Sequence, residues 1–332
     1  MNLTMRLDAK AASSSVGSQL PVVRVGEIPV EENSERWLID SLWGVSSVGV
    51  IGGAPKCSKT WLALDMAFSV ATGTNCLDRY AIPQSGPVLV YLAEDALPVV
   101  RERVAGIARH RGLDLDAVPL HVITAPVLQL DRDPHRRQLL ATARRLRPRL
   151  LLLDPLVRLH SLDENHAGEV AGLLAYFRSL QRELDLAVAP APHTRKNAGG
   201  GSAGLGLRGS SDIHAFGDSN LYLRRSGERL QLSSEHRAAA ASPTVFLELV
   251  TTPEATHLEV IGEVRDAKRR NLTDQVLEQL AQCQQGESFT RARLREALSV
   301  KNERLGEALE RLEQAGQILR TPSGWTLANR SS

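Results

Sequence analysis

The stretch Val48-Gly-Val-Ile-Gly-Gly-Ala-Pro-Lys-Cys-Ser-Lys-Thr60 runs from an apolar segment through a glycine turn into Trp61-Leu-Ala-Leu-Asp-Met-Ala67. Apolar strand, glycine turn, Lys-Thr and amphipathic helix, in that order, are the parts of a phosphate-binding loop. Such a loop needs backbone N–H groups turned inward, a helix N-terminus behind them, a lysine for the outer phosphates and a hydroxyl for Mg²⁺. Gly53, Lys59 and Thr60 fill those places. The residues expected around the phosphates are Gly53, Ala54, Pro55, Lys56, Cys57, Ser58, Lys59, Thr60 and Trp61. One position departs from the pattern, because Ser58 stands where glycine is expected before the lysine. Its Cβ falls where the backbone must approach the nucleotide, although its hydroxyl offers a donor to a phosphate.

Around this loop the chain is 332 residues long, 42% hydrophobic and 23% charged, which suits a soluble globular protein of two domains. No apolar run approaches the roughly 18 residues of a membrane span. Met1 to Gln19 is polar and lacks the apolar stretch of a signal peptide, so a cytoplasmic protein without membrane partners is expected. Cys57, Cys76 and Cys283 lie far apart, so neither disulfides nor structural zinc are expected from them. A net charge of +2 is too slight to indicate nucleic-acid binding, and any such site must come from local clusters.

Residues 1–34 form an N-terminal arm without clear periodicity. Glu35 to Trp43 leads into the first core strand; its aromatics could cover a nucleotide, meet a neighbouring subunit or pack on the sheet edge. The helix after the loop is expected to stop near Thr72-Gly73. A buried strand, Pro87 to Leu92, ends in Ala93-Glu94-Asp95, which puts two carboxylates at the edge where parallel sheets place their chemistry. A helix from about Leu97 to Arg111, a strand at His121 to Thr124 and a helix around Pro134 to Arg147 follow.

Arg149-Leu-Leu-Leu-Leu-Asp154 is an apolar run closed by an acid, the Walker B pattern in which Asp154 would hold the Mg²⁺ shell. The next residue is Pro155, so the base that orients an attacking water must come from elsewhere; Glu94 is the first candidate and Asp95 the second. After a polar loop and a helix from Ala167 to Leu184, the strand at Leu186 to Lys196 carries His193 at its tip, a candidate γ-phosphate sensor. Pro190 and Pro192 argue against a fully paired central strand there. A glycine-rich loop, Asn197 to Gly206, precedes Arg208, and short alternating strands run from Asn220 to Val260.

The composition turns basic at residues 265–270, a linker, and residues 271–332 read as three helices and a β-hairpin around Pro322 to Gly324, a winged helix-turn-helix. Its candidate phosphate contacts are Arg291, Arg293, Arg295, Lys301, Arg304 and Arg320, while Glu303, Glu307, Glu310 and Glu313 would repel DNA. DNA contact and protein association both remain open for this unit.

Taken together, the phosphate loop, Ala93-Glu94-Asp95, Leu-Leu-Asp154-Pro-Leu, His193-Thr-Arg-Lys and Arg208-Gly-Ser-Ser resemble the RecA-like, AAA-type ATPases of the RepA-type hexameric plasmid replication helicases. The resemblance covers residues 35–235. It implies an α/β fold, a RecA-like P-loop NTPase core over residues 35–264 with a mostly parallel central sheet. It further implies a homo-oligomeric, hexameric ring that binds ATP and Mg²⁺ between subunits and single-stranded DNA in its channel. Lys59, Glu94, Asp154, His193 and Arg208 would be the catalytic set, with Thr60 and Asp154 on the metal and Arg208 as an arginine finger. Arg224 or Arg225 would supply a second cation, and the loop at 195–208 would contact DNA. Two readings stand: a helicase-like motor, or a DNA-bound scaffold that uses ATP binding as an assembly switch.

Overall fold

A computed structural model describes residues 22–28, 36–162, 167–192, 211–226, 229–264, 272–281, 288–298, 300 and 302–328. In chain order the elements are β1 (Trp37–Ile39), β2 (Trp43–Gly44), β3 (Ile51–Gly53), α1 (Lys59–Thr72), β4 (Val88–Leu92), α2 (Leu97–His110) and β5 (Leu120–Val122). Then come α3 (Asp133–Leu146), β6 (Leu150–Asp154), α4 (Ala167–Leu184), β7 (Ala187–Pro190), α5 (Ser211–Phe216) and β8 (Ser219–Ser226). The chain continues with β9 (Arg229–His236), β10 (Val245–Thr251), β11 (Thr256–Glu263), α6 (Leu272–Ala281), α7 (Arg291–Leu298), α8 (Asn302–Gln314), β12 (Ile318–Thr321) and β13 (Gly324–Leu327).

The central strands are continuous apolar runs because both their faces are covered. Leu150 and Leu152 of β6 point into one cluster with α1 and α2, and Leu151 and Leu153 point into another with α3 and α4. Period-two alternation places neighbours on opposite faces, so four consecutive leucines are all buried. The order β5-β4-β6-β7 is parallel throughout. A parallel bridge between Val48 and Val188 joins it to a second sheet, β3-β8-β9-β10-β11. There β3 and β8 are parallel, and β9 to β11 extend the sheet as an antiparallel meander. The α/β core with helices on both faces is thus as expected, with an antiparallel wing added at one edge.

Local chemistry fixes the helix ends. α1 stops at Gly73, whose φ of 81° is the left-handed conformation that suits glycine. α2 begins with Pro98 in its first turn and ends with Arg109 and His110, the arginine a cation at the negative end of the helix dipole.

β1 and β2, which lead into β3, form their own short antiparallel pair, with Trp43 fully buried. The prolines argued against a fully paired central strand, and β7 is laddered on the β6 side alone. The N–H groups of Ala187 and Ala191 donate to Arg149 and Leu153 on the β6 side. Val188 donates the other way, to Ser47. Pro190 shares the parity of Val188, so its missing N–H falls on the side where the ladder has only the Val48 bridge.

Beyond Val264, α6, α7, α8 and the β12–β13 hairpin enclose a separate core of Val276, Leu280, Phe289, Leu294, Leu305, Leu309, Leu312 and Ile318. No helix among the described residues is long and apolar enough to cross a membrane.

Candidate nucleotide site

Strand register builds the site. Leu92 of β4 pairs with Asp154 of β6, and Ala93 N donates to Asp154 O at 2.9 Å, so Glu94 emerges beside Asp154 at the C-terminal edge of the sheet. On the far side of β7 the loop after β3 turns into α1, whose first two residues are Lys59 and Thr60. Lys59, Thr60, Glu94, Asp95 and Asp154 therefore line one pocket of about 500 Å³, together with Pro55, Lys56, Ser58, Arg103 and Pro155.

Thr60 Oγ1 donates to Asp154 Oδ2 at 2.6 Å, and Asp154 is only 6% exposed. A hydroxyl and a carboxylate this close, at the N-terminus of a 14-residue helix, form an oxygen donor set of the kind Mg²⁺ takes. Lys59 is 6% exposed, and its Nζ donates to Gly53 O at 2.8 Å and Ala54 O at 3.0 Å. Its ammonium lies in the concavity of the loop, where phosphates would compete for the same three donors. Burial pushes the Lys59 ammonium below the ordinary lysine range, while Asp154 and Glu94 pull it back up.

Loop geometry explains the glycine at 53. A Cβ there would lie 2.7 Å from Cys57 Sγ and 2.8 Å from the backbone oxygen of Leu223, so the loop closes on β8 only without one. Lys56 and Ser58 both adopt positive φ, 61° and 63°. The departure at Ser58 is thus first a matter of backbone conformation, and only then of close approach to a ligand. Two of the residues expected around the phosphates play other parts through their side chains. Cys57 is 2% exposed and belongs to the core, so only its backbone is available to a ligand. Trp61 packs its ring under the Arg103 guanidinium, 5.6 Å from the ring centre, and Arg103 in turn donates to Asp95 Oδ2 at 2.7 Å.

Sequence reasoning missed Arg158. It sits on the short 3₁₀ turn after Asp154, and its Nε donates to Glu94 Oε1 at 3.1 Å. Both side chains are exposed, 63% and 48%, so the pair is a hold on the orientation of Glu94 rather than a source of stability. No local sequence signal marks it, since Glu94 lies 64 residues earlier in the chain. His193, Arg208 and the 195–208 loop lie outside the described residues, as does the 265–270 linker. Arg224 and Arg225 lie near the end of β8 and are exposed.

Residues 15–199 match the family model described as AAA domain. The match spans β3, the phosphate loop, Glu94 and Asp154, and ends within the segment after β7.

Proposed function

The chain belongs to the AAA domain family, and from that premise we propose an oligomeric motor that hydrolyses ATP to move on DNA, in the replication or maintenance of a plasmid, phage or other mobile element. An AAA domain is an ATPase domain, and domains of this class take ATP with Mg²⁺. The carrying observation is that Lys59, Thr60, Glu94 and Asp154 line one pocket at the carboxyl ends of parallel strands.

In this reading the loop amides and Lys59 hold the phosphates, and Thr60 with Asp154 holds Mg²⁺, which when bound neutralises charge on the phosphates. Glu94, positioned by Arg158, accepts the proton of the attacking water. His193 senses the terminal phosphate. Arg208 reaches the neighbouring subunit's nucleotide as an arginine finger, an effect worth roughly 10³ to 10⁵ in rate. The ring is a homo-oligomer, hexameric by resemblance, and the 195–208 loop with Arg195 and Lys196 holds the backbone of single-stranded DNA. The C-terminal unit is a winged helix-turn-helix that brings double-stranded DNA or a protein partner to the ring. Its α8 turns Glu303, Glu307, Glu310 and Glu313 outward, a face unsuited to phosphates.

A second reading, the assembly switch with little hydrolysis, draws on Ser58 and its positive φ. ATPase rates with and without single-stranded DNA, for wild type, Lys59→Ala and Arg208→Ala, separate the two. The motor requires DNA-stimulated turnover that both substitutions abolish. A wild-type protein that binds ATP and forms rings without turnover supports the switch, and one without affinity for ATP–Mg²⁺ ends both readings.

A further inference from the structure

A cluster at the joint of α2 and β11 lies outside the nucleotide pocket. His110 closes α2, Asp78 lies on the turn before β4, and His257 opens β11. Their ligand atoms all lie within 4.8 Å of one another. His110 Nε2 is 2.7 Å from Asp78 Oδ2, and the two imidazole rings stack with centres 3.4 Å apart and 13° between planes. His257 is 5% exposed, yet neither of its ring nitrogens has a hydrogen-bond partner among the described residues. The Glu259 carboxylate stands 3.7 Å from its Nε2, beyond hydrogen-bond reach.

A buried imidazole carries both a donor and an acceptor, and leaving the two unmade is costly. Two imidazoles packed face to face without a shared hydrogen bond gain little from each other. A metal ion would satisfy one ring nitrogen of each histidine and take an oxygen from the aspartate, which gives the facing rings a shared partner. We propose that Asp78, His110 and His257 form a binding site for a divalent ion of the zinc type that clamps the end of α2 to β11.

The ligand chemistry selects the ion. Imidazole nitrogens with one carboxylate suit zinc and its neighbours rather than Mg²⁺ or Ca²⁺, which take oxygen. With metal–ligand bonds of about 2.0–2.1 Å, tetrahedral ligands stand about 3.3 Å apart. The 2.7 Å contact of His110 with Asp78 must open by roughly half an ångström as the metal replaces the shared proton, and the stacked rings must splay. Asp78 is 46% exposed at its side chain, so the turn has room to give. Water or Glu259 fills the fourth position.

Arg111 stands against the cluster, with Nε 3.7 Å from Asp78 Oδ1. Its guanidinium is committed to Asp65, Ser69 and Thr74, and it faces the oxygen that the metal does not need. There it orients the carboxylate, as outer partners of metal ligands do. The clamp has something to hold: Gly106 of α2 packs on Thr256, with a built Cβ only 3.0 Å from its backbone oxygen. Cysteine spacing gives no hint of such a site, because the ligands come from three separate elements.

The test uses the full chain without a polyhistidine tag, stripped with a chelator and titrated with Zn²⁺ in competition with a chromophoric chelator. One equivalent is expected to bind and to raise the thermal unfolding midpoint. Asp78→Asn, a change at an exposed side chain, and His257→Gln should each lose that equivalent or at least tenfold in affinity. Asp154→Asn, in the nucleotide pocket, should keep it. A wild-type chain that takes up no Zn²⁺, or uptake unchanged in Asp78→Asn, overturns the site.

Discussion

Ser58 holds φ 63° and ψ 26° at the residue before the lysine that faces the pocket. A left-handed conformation costs an L-residue roughly 1–2 kcal/mol, whereas glycine adopts it freely. Glycine also brings a more flexible unfolded chain, which returns roughly 0.5–1 kcal/mol of that gain. Ser58→Gly should therefore stabilise the protein by about 0.5–1 kcal/mol in urea denaturation and raise its ATPase turnover. If neither stability nor turnover moves, the serine is harmless. The sequence marked this position as anomalous because the motif has a fixed spacing, but it assigned the anomaly to the ligand side. Only backbone angles reveal that the strain belongs to the loop itself. Lys59, Thr60, Glu94 and Asp154 were legible for a simple reason: each lies at the end of an apolar run or inside a turn with a recognisable order. Arg158 was not, because its partner stands 64 residues away and nothing local announces the pairing.

Between elements, α1 and the end of α2 share an apolar cluster and a buried ion pair. Arg111 Nη2 donates to Asp65 Oδ2 at 2.7 Å, and Asp65 Oδ1 accepts from Leu77 N at 2.8 Å. Both side chains are nearly out of solvent, at 4% and 1%. Burial pushes the Asp65 carboxyl up, and Arg111 is the chief force holding it down. Arg111→Ala leaves a buried carboxylate without its cation and should cost about 3–5 kcal/mol in urea denaturation. Asp65→Leu combined with Arg111→Leu should cost less than that single change, because no charge is then stranded. A single variant close to wild type in stability would show that water reaches Asp65.

A second junction, of β1, β9 and the segment after β1, gives a pH dependence. His236 packs edge-on against Trp37, 4.9 Å between ring centres, with Nε2 3.3 Å from Ser41 O and Nδ1 3.2 Å from Ser219 Oγ. Burial pushes its pKa below the ordinary 6.5. The folded state thus favours the neutral ring, and the unfolded state binds more protons as pH falls below about 6.5. Stability should decline as pH drops through that value, and continue to decline until the folded ring also titrates. In His236→Gln the slope of midpoint against pH over this window should be shallower than in wild type. Equal slopes would place the titration elsewhere. Junctions such as this were invisible in the sequence. The strands themselves were legible, since β4 and β6 are unbroken apolar runs bounded by turn residues. The proline argument at β7 held for a reason of parity: a missing N–H is tolerated on the side where no ladder needs it.

At the scale of the molecule, the nucleotide pocket lies where two sheets join, and a separate core stands beyond Val264. The helix count and the hairpin of that second unit were legible from leucine spacing and a Pro-Ser-Gly turn, but charge alone did not say what the unit touches. Its arginines now divide by what holds them. Arg291 is engaged inward, donating to Asn302 O at 2.8 Å. Arg293 lies over the Phe289 ring at 4.6 Å and Arg320 over the Trp325 ring at 5.4 Å. A stacked guanidinium keeps its edge donors for phosphate oxygens, so Arg293 and Arg320 are the better placed pair. Neutralising one phosphate on double-stranded DNA contributes a slope of about −0.9 in the logarithm of affinity against the logarithm of salt. Replacing Arg293 and Arg320 together by alanine in the full chain should flatten that slope by up to about 1.8. Arg291→Ala should instead act on the unfolding midpoint of this unit, because it removes an internal contact. ATP binding should be indifferent to all three changes. A slope that stays at the wild-type value in the double variant would assign this unit to protein association and leave DNA to the ring.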